Sequence, residues 1–194
     1  MLTNLKFATM NRKLIGLFSL IVVLSLTSCL KDMDMKTARA GNKFLIDLPK
    51  SMTESTDLKK GADMQFSGDK SFPIHFYAIA DEKSALKTMG VNFTSEEIYY
   101  LETEEISETG QNARVTVPKE EPIQFLKCLR GEVLMNKDGK EQLYKVCVSE
   151  GGARFYRLVI YGETEFMKEN SKSVNSILDT FREWTEFQAE PVEG

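Results

Sequence analysis

Near the C-terminal end of the chain, Ala153 to Tyr161 contains Phe155, Tyr156, Leu158, Val159, Ile160 and Tyr161. Successive residues of a β-strand point to opposite faces, so a run that is apolar on both phases must be covered on both sides. Two further runs, Ile123–Met135 and Leu143–Val148, precede it, separated by the turn signals Asn136–Lys140 and Glu150–Gly152. Together they predict an antiparallel meander with a central, doubly covered strand.

Other segments supply edges and cover. Phe44, Ile46 and Leu48 alternate before Pro49, and Ala62, Met64 and Phe66 alternate before the turn signal Ser67–Lys70. The run Phe72–Ala80 then predicts the returning strand of a hairpin. Asp81 reads as the N-cap of a short helix ending at Gly90, with Ala85, Leu86 and Met89 facing the core. Thr94, Ser95, Glu96 and Glu97 form a capping-box pattern that opens a second helix to about Ser107, with a thin apolar stripe. Phe166, Val174, Ile177, Leu178, Phe181 and Trp184 recur at helical spacing, predicting one closing helix docked on the sheet. The expectation is a single α+β domain over residues 43–187, an antiparallel sheet flanked by helices, followed by a fraying tail over 188–194.

The N-terminal region reads differently. Arg12 and Lys13 precede Leu14–Leu26, thirteen residues interrupted only by Gly16, Ser19 and Ser25. A spanning helix needs about 20 apolar residues, so this run is the core of a signal peptide over residues 1–28, with Met1 and Met10 both available as starts. The residues that follow, Leu26, Thr27, Ser28 and Cys29, resemble the lipobox of bacterial lipoproteins. The resemblance implies cleavage between Ser28 and Cys29, with a diacylglycerol and an N-acyl chain on Cys29 as the only non-protein groups. Two or more acyl chains make such an anchor effectively permanent.

Cleavage would remove three of the 25 cations and none of the 29 acids, leaving a net charge of −7. An acidic body is repelled by anionic membrane surfaces, and no basic block is present, so the lipid must hold the protein at the membrane and nucleic acid is excluded as a partner. Residues 29–42 read as the lipidated cysteine and a polar tether reaching up to about 40 Å when extended. Within it Lys31, Asp32 and Asp34 resemble the charged export tags that send lipoproteins of one Gram-negative phylum to the cell surface. A merely solvated linker is the competing reading.

The order of elements over residues 43–187 resembles the PsbP-like superfamily, which includes envelope lipoproteins of the DcrB type. The resemblance rests on Phe44–Pro49, Ala62–Phe66, Gly152–Tyr161 and the closing helix with Ile177 and Phe181. It implies an α/β/α sandwich and an accessory, assembly or binding role without enzyme activity. Lys50, Ser51 and Met52 follow Pro49 where the family often has an aromatic residue.

Catalytic residues are not identifiable. His75, the single histidine, lies in a strand and reads as half-buried. No GxSxG, HExxH, P-loop or GxGxxG pattern occurs, and one histidine with three cysteines excludes a zinc cluster of those residues alone. Glu96, Glu97, Glu102, Glu104, Glu105 and Glu108 lack calcium-loop spacing and read as a solvated helix face. Trp184, Tyr99, Tyr100, Tyr144, Tyr156 and Tyr161 read mostly as core rather than as a sugar platform.

Cys128 and Cys147 form a candidate disulfide. A four-residue loop over Asn136–Gly139 places them directly opposite each other, and export through an oxidising compartment would close the bond. Two reduced core cysteines, or a slipped register, are the alternative. The expected partners are the membrane, through the lipid, and an unidentified protein or small molecule, at either the cell surface or the periplasmic face of the outer membrane. A periplasm-facing assembly factor and an envelope glycan or peptide hydrolase are the competing functions.

Overall fold

The doubly apolar run forms the middle strand of an eight-stranded antiparallel sheet in the computed structural model, which describes residues 33–185. The strands in chain order are β1 (Met35–Ala40), β2 (Phe44–Pro49), β3 (Thr53–Glu54), β4 (Met64–Ser67), β5 (Ile74–Glu82), β6 (Gln111–Val115), β7 (Lys119–Glu120), β8 (Lys127–Lys137), β9 (Lys140–Glu150), β10 (Arg154–Glu163) and β11 (Arg182–Glu183). The helices are α1 (Lys83–Thr88), α2 (Ser95–Ser107), α3 (Thr164–Glu169) and α4 (Ser171–Asp179). The main sheet runs β3-β4-β5-β10-β9-β8-β6, with β7 also paired to β8, and a second sheet runs β1-β2-β11.

Each face of β10 has its own core. On one face Tyr156, Leu158 and Ile160 pack with Phe76 and Ala78 of β5, against Phe44, Ile46 and Leu48 of β2 and Val174, Ile177 and Phe181 at the C-terminal end. On the other, Phe155 and Val159 pack with Val133, Val146 and Val148 against Ile98, Tyr99 and Ile106 of α2. The first covering layer therefore combines the small sheet with α3 and α4, and the second is mainly α2. Tyr99 lies so close to β8 that a Cβ at Gly131 would run into its hydroxyl, which accounts for the glycine in that strand.

Several expectations are corrected by tertiary context. Met35–Ala40, read as tether, pairs along its whole length with β2, from Met35 opposite Pro49 to Ala40 opposite Phe44. Its alternation is short, yet Ala38 and Ala40 are buried against the main core. The helix after β5 is capped at Glu82, not Asp81, and buries none of its residues, with Met89 largely exposed. The expected strand Ile123–Met135 enters the sheet only at Lys127, because Ile123–Leu126 closes a tight turn in which Gln124 has a positive φ. The single closing helix is broken at Asn170 into α3 and α4, and the chain then returns to strand, placing Trp184 beyond β11 with the Arg39 guanidinium 3.8 Å above its ring. Residues 188–194, read as a fraying tail, lie outside the described residues.

The β8–β9 register also differs. Lys137 pairs with Lys140 around a two-residue Asp138–Gly139 loop, both with positive φ as a type I′ turn requires. Cys128 therefore faces Ser149, and Arg130 faces Cys147. The cysteines are diagonal neighbours on one face, with Cα atoms 6.4 Å apart and their sulfurs joined. Both are buried beneath the small-sheet layer.

Closing this hairpin constrains the unfolded chain, so replacing both cysteines by alanine is expected to cost about 2–3 kcal/mol. Urea unfolding of the oxidised protein and the double variant measures that loss. Equal stabilities, or free thiols in both peptides of an unreduced digest, would show that the bond is not made in solution.

Candidate functional site

Two polar constellations interrupt the apolar faces of the main sheet. The first is buried under α2. Ile98, Tyr99, Glu102 and Ile106 share one face of that helix, so Glu102 is pressed onto the sheet and is fully buried rather than solvated as its sequence neighbours suggest. Tyr77 donates to its carboxylate at 2.6 Å and Arg157 Nη1 at 2.7 Å, while Lys59 Nζ lies 3.5 Å away. Arg157 also donates to Asp81 at 2.8 and 3.1 Å, and Lys59 pairs with Glu105 at 2.7 Å.

Burial opposes the Arg157 charge, but Glu102 and Asp81 outweigh it and hold its pKa above the ordinary value. Burial and the Glu102 charge push the Tyr77 hydroxyl far upward, keeping it a donor. These groups satisfy one another and clamp α2 to the sheet; none is free to act on a substrate. The thin stripe of α2 thus has a polar centre, anchored by a capping box in which Thr94 Oγ1 accepts from Glu97 N at 3.2 Å.

The second constellation lies on the opposite face, where β7 and β8 extend beyond the cover of α4. Arg130, Glu132 and Lys145 occupy the strand phase of Cys128, Leu143 and Cys147, so charges stand where the core would otherwise continue. They line an open cavity of about 310 Å³ with Lys119, Asn175 and Leu178. Lys145 donates to Glu132 at 2.8 Å, and Arg130 Nη2 donates to Asp179 at 2.5 Å. Arg130 Nε is buried and has no hydrogen-bond partner among the described residues, Glu121 being 4.0 Å away. Sequence inspection missed this site; the available signal was the charge on the core-facing phase of β8 and β9.

The remaining candidates are placed as follows. Ser28, Cys29, Lys31 and Asp32 lie outside the described residues. Asp34 stands just before β1 and pairs with Lys50 at 2.9 Å. His75 is half-buried in β5, with Ser67 Oγ 3.1 Å from its Nδ1 and its ring 4.9 Å from that of Tyr161. Tyr161 in turn stacks on Tyr144 at 4.6 Å, Tyr156 packs with Phe44 and Phe181, and Trp184 is covered by Arg39, so these rings spend their faces on the protein. Among the described residues no group of three or more His, Cys, Asp and Glu is placed to hold a metal ion.

No family model matches the chain, and no curated protein matches it in sequence. Among solved structures, the solution structure of cyanobacterial PsbP (CyanoP) from Synechocystis sp. PCC 6803 superposes with a TM-score of 0.57 at 12% identity, over 82% of this chain and 99% of that one. The architecture is therefore α+β of the PsbP-like type. A crystal structure from Bacteroides thetaiotaomicron aligns with a TM-score of 0.49 at 12% identity, over 79% of this chain and 52% of that one. LpqN from Mycobacterium tuberculosis, described as involved in cell envelope biogenesis, aligns with a TM-score of 0.49 at 9% identity, over 78% and 91% of the two chains.

Removing one side of the buried pair leaves the other uncompensated, so Arg157→Leu is expected to destabilise by about 3–5 kcal/mol. Lys140→Ala, which breaks the exposed pair with Glu163, should change stability by less than about 1 kcal/mol. Comparable losses in urea unfolding would refute the clamp. Burial also lowers the His75 pKa from its ordinary 6.5. The unfolded ring then binds a proton at higher pH than the folded one, so stability should fall as pH drops from 6.5 through the folded pKa and level off above 6.5. His75→Gln should remove that slope; an unchanged slope would assign it to other groups.

Proposed function

We propose that this chain is a bacterial lipoprotein whose folded part is a non-enzymatic accessory or binding domain held at the outer membrane by acyl chains on Cys29. The reading rests on the Leu26-Thr27-Ser28-Cys29 sequence after a thirteen-residue apolar run, with the first strand beginning at Met35. Accessory and binding roles are those of the PsbP-like proteins that the chain resembles in fold. The two polar constellations support the same reading, since one is fully engaged in holding α2 and the other offers hydrogen-bond donors without a paired acid, base and nucleophile.

β1 starts at Met35, so residues 35–40 of the expected thirteen-residue tether belong to the folded domain. A lipid on Cys29 would therefore lie six residues in sequence from the first strand. Lys31, Asp32 and Asp34 fall between the two in sequence, where an export machinery that reads charge next to the lipid would find them.

Cys29→Ala should leave full-length precursor and abolish labelling by a radioactive fatty acid; persistent labelling would overturn the lipoprotein reading. Protease treatment of intact cells decides the face. Digestion supports surface display through the Lys31, Asp32 and Asp34 segment, and protection until the outer membrane is opened replaces it with a periplasm-facing assembly role.

A further inference from the structure

Strand β1 leaves half of its backbone unpaired. The Lys50 N–H donates to the Asp34 carbonyl at 2.8 Å, and antiparallel pairs alternate, so Lys36, Ala38 and Ala40 are the residues bonded to β2. Asp47 follows the same alternation. It stands opposite Thr37, yet its N–H turns the other way and donates to Thr180 Oγ1 at 2.9 Å. The main-chain N–H and C=O of Met35, Thr37 and Arg39 therefore point outward from the free edge of the small sheet, where no strand pairs with β1 among the described residues. This edge lines a cavity of about 460 Å³, whose opposite wall is formed by Ser55 and by Met64 and Phe66 of β4. A row of main-chain donors and acceptors at strand spacing is matched by another extended main chain, which decides the class of ligand.

The charges of the groove narrow that class. Lys36 Nζ donates to the Met52 carbonyl and Arg39 Nε to the Gly41 carbonyl, each at 2.5 Å, and neither cation is paired with a carboxylate among the described residues. Of the two acids in the lining, Asp63 is held by Lys43 and Glu54 is exposed, so the unpaired cations outnumber the unpaired acid. We propose that this groove binds an extended acidic peptide, a segment of another protein that joins β1 as a fourth strand of the small sheet and sets carboxylates near Lys36 and Arg39. The two cations lie on opposite faces of β1, so acids on both phases of the peptide are accommodated. This inference gives a partner class to the binding role proposed above and rests on that reading, but no part of it involves the lipid on Cys29.

The test is amide hydrogen exchange of the full chain in detergent, titrated with acetyl-Val-Glu-Glu-Thr-Glu-Val-amide and with the same peptide carrying lysine for glutamate. The acidic peptide should slow exchange at Thr37 and Arg39 by about tenfold or more in a saturable way, while the Ala38 amide, already bonded to β2, changes little. The lysine peptide should protect less, and a fully N-methylated acidic peptide, which has no main-chain donors, should not protect. Arg39→Gln, at an exposed position, should weaken the acidic peptide several-fold. No protection of Thr37 and Arg39 by the acidic peptide, or equal protection by the lysine peptide, would overturn the proposal. Protection that rises with protein concentration alone would also overturn it, assigning the edge to a second copy of this chain. Acyl labelling at Cys29 is independent of every one of these outcomes, so the failure of one reading is distinguishable from the failure of the other.

Discussion

Strand β10 must be buried twice, and most of the architecture follows from that requirement. Tyr156, Leu158 and Ile160 point one way and Phe155 and Val159 the other, so a single helical layer could not stabilise the sheet. At roughly 25 cal/mol per Å² of apolar surface, leaving either phase in water would cost several kcal/mol for this strand alone. The small sheet with α3 and α4 covers one phase, and α2 covers the other. The one charged residue in the middle of β10, Arg157, then determines what α2 must carry. Its guanidinium lies under the helix and requires a buried acid, which explains Glu102 at a position where a leucine would otherwise suit the stripe.

The β8–β9 hairpin sets the second consequence. A tight Asp138–Gly139 turn aligns Arg130 with Cys147 and Glu132 with Lys145 on the phase that faces the small-sheet layer. Cys128, Leu143 and Cys147 on that phase are buried, whereas the charged residues between and beyond them resist complete burial. The covering layer closes over the first group and stops at the second, with Leu178 and Asn175 of α4 at its margin. The cavity is thus the place where a continuous strand pair outruns its hydrophobic cover. A slip of β8 by one residue would turn Arg130 and Glu132 to the α2 face and carry Val133 away from it, so the tight turn that fixes the register also fixes which face carries the charges.

The main sheet was legible because period-two alternation and glycine-rich turns are local signals, and the capping box of α2 was legible for the same reason. What could not be read depends on partners distant in sequence. Met35–Ala40 looks polar because only Ala38 and Ala40 are buried, and it becomes a strand by pairing with β2. The break at Asn170 and the return of Arg182–Glu183 to strand are decided by β2, whose edge is open to receive them. Glu102 looked solvated among its acidic neighbours because its partners Tyr77 and Arg157 lie 25 and 55 residues away. The hairpin register failed on a narrower point, since the four-residue loop and the two-residue type I′ turn both fit the residues Asn136–Gly139.

These distant contacts bear on the proposed role. Strand β1 is an edge strand of the small sheet, and its first residue pairs with Pro49 immediately before the turn that carries Lys50. A chain anchored at Cys29 would transmit any pull through the six-residue β1–β2 ladder, which is backed by buried Ala38 and Ala40 and by the main core. The proposed lipid on Cys29 would supply the attraction that an acidic domain's surface charge cannot give it toward anionic headgroups.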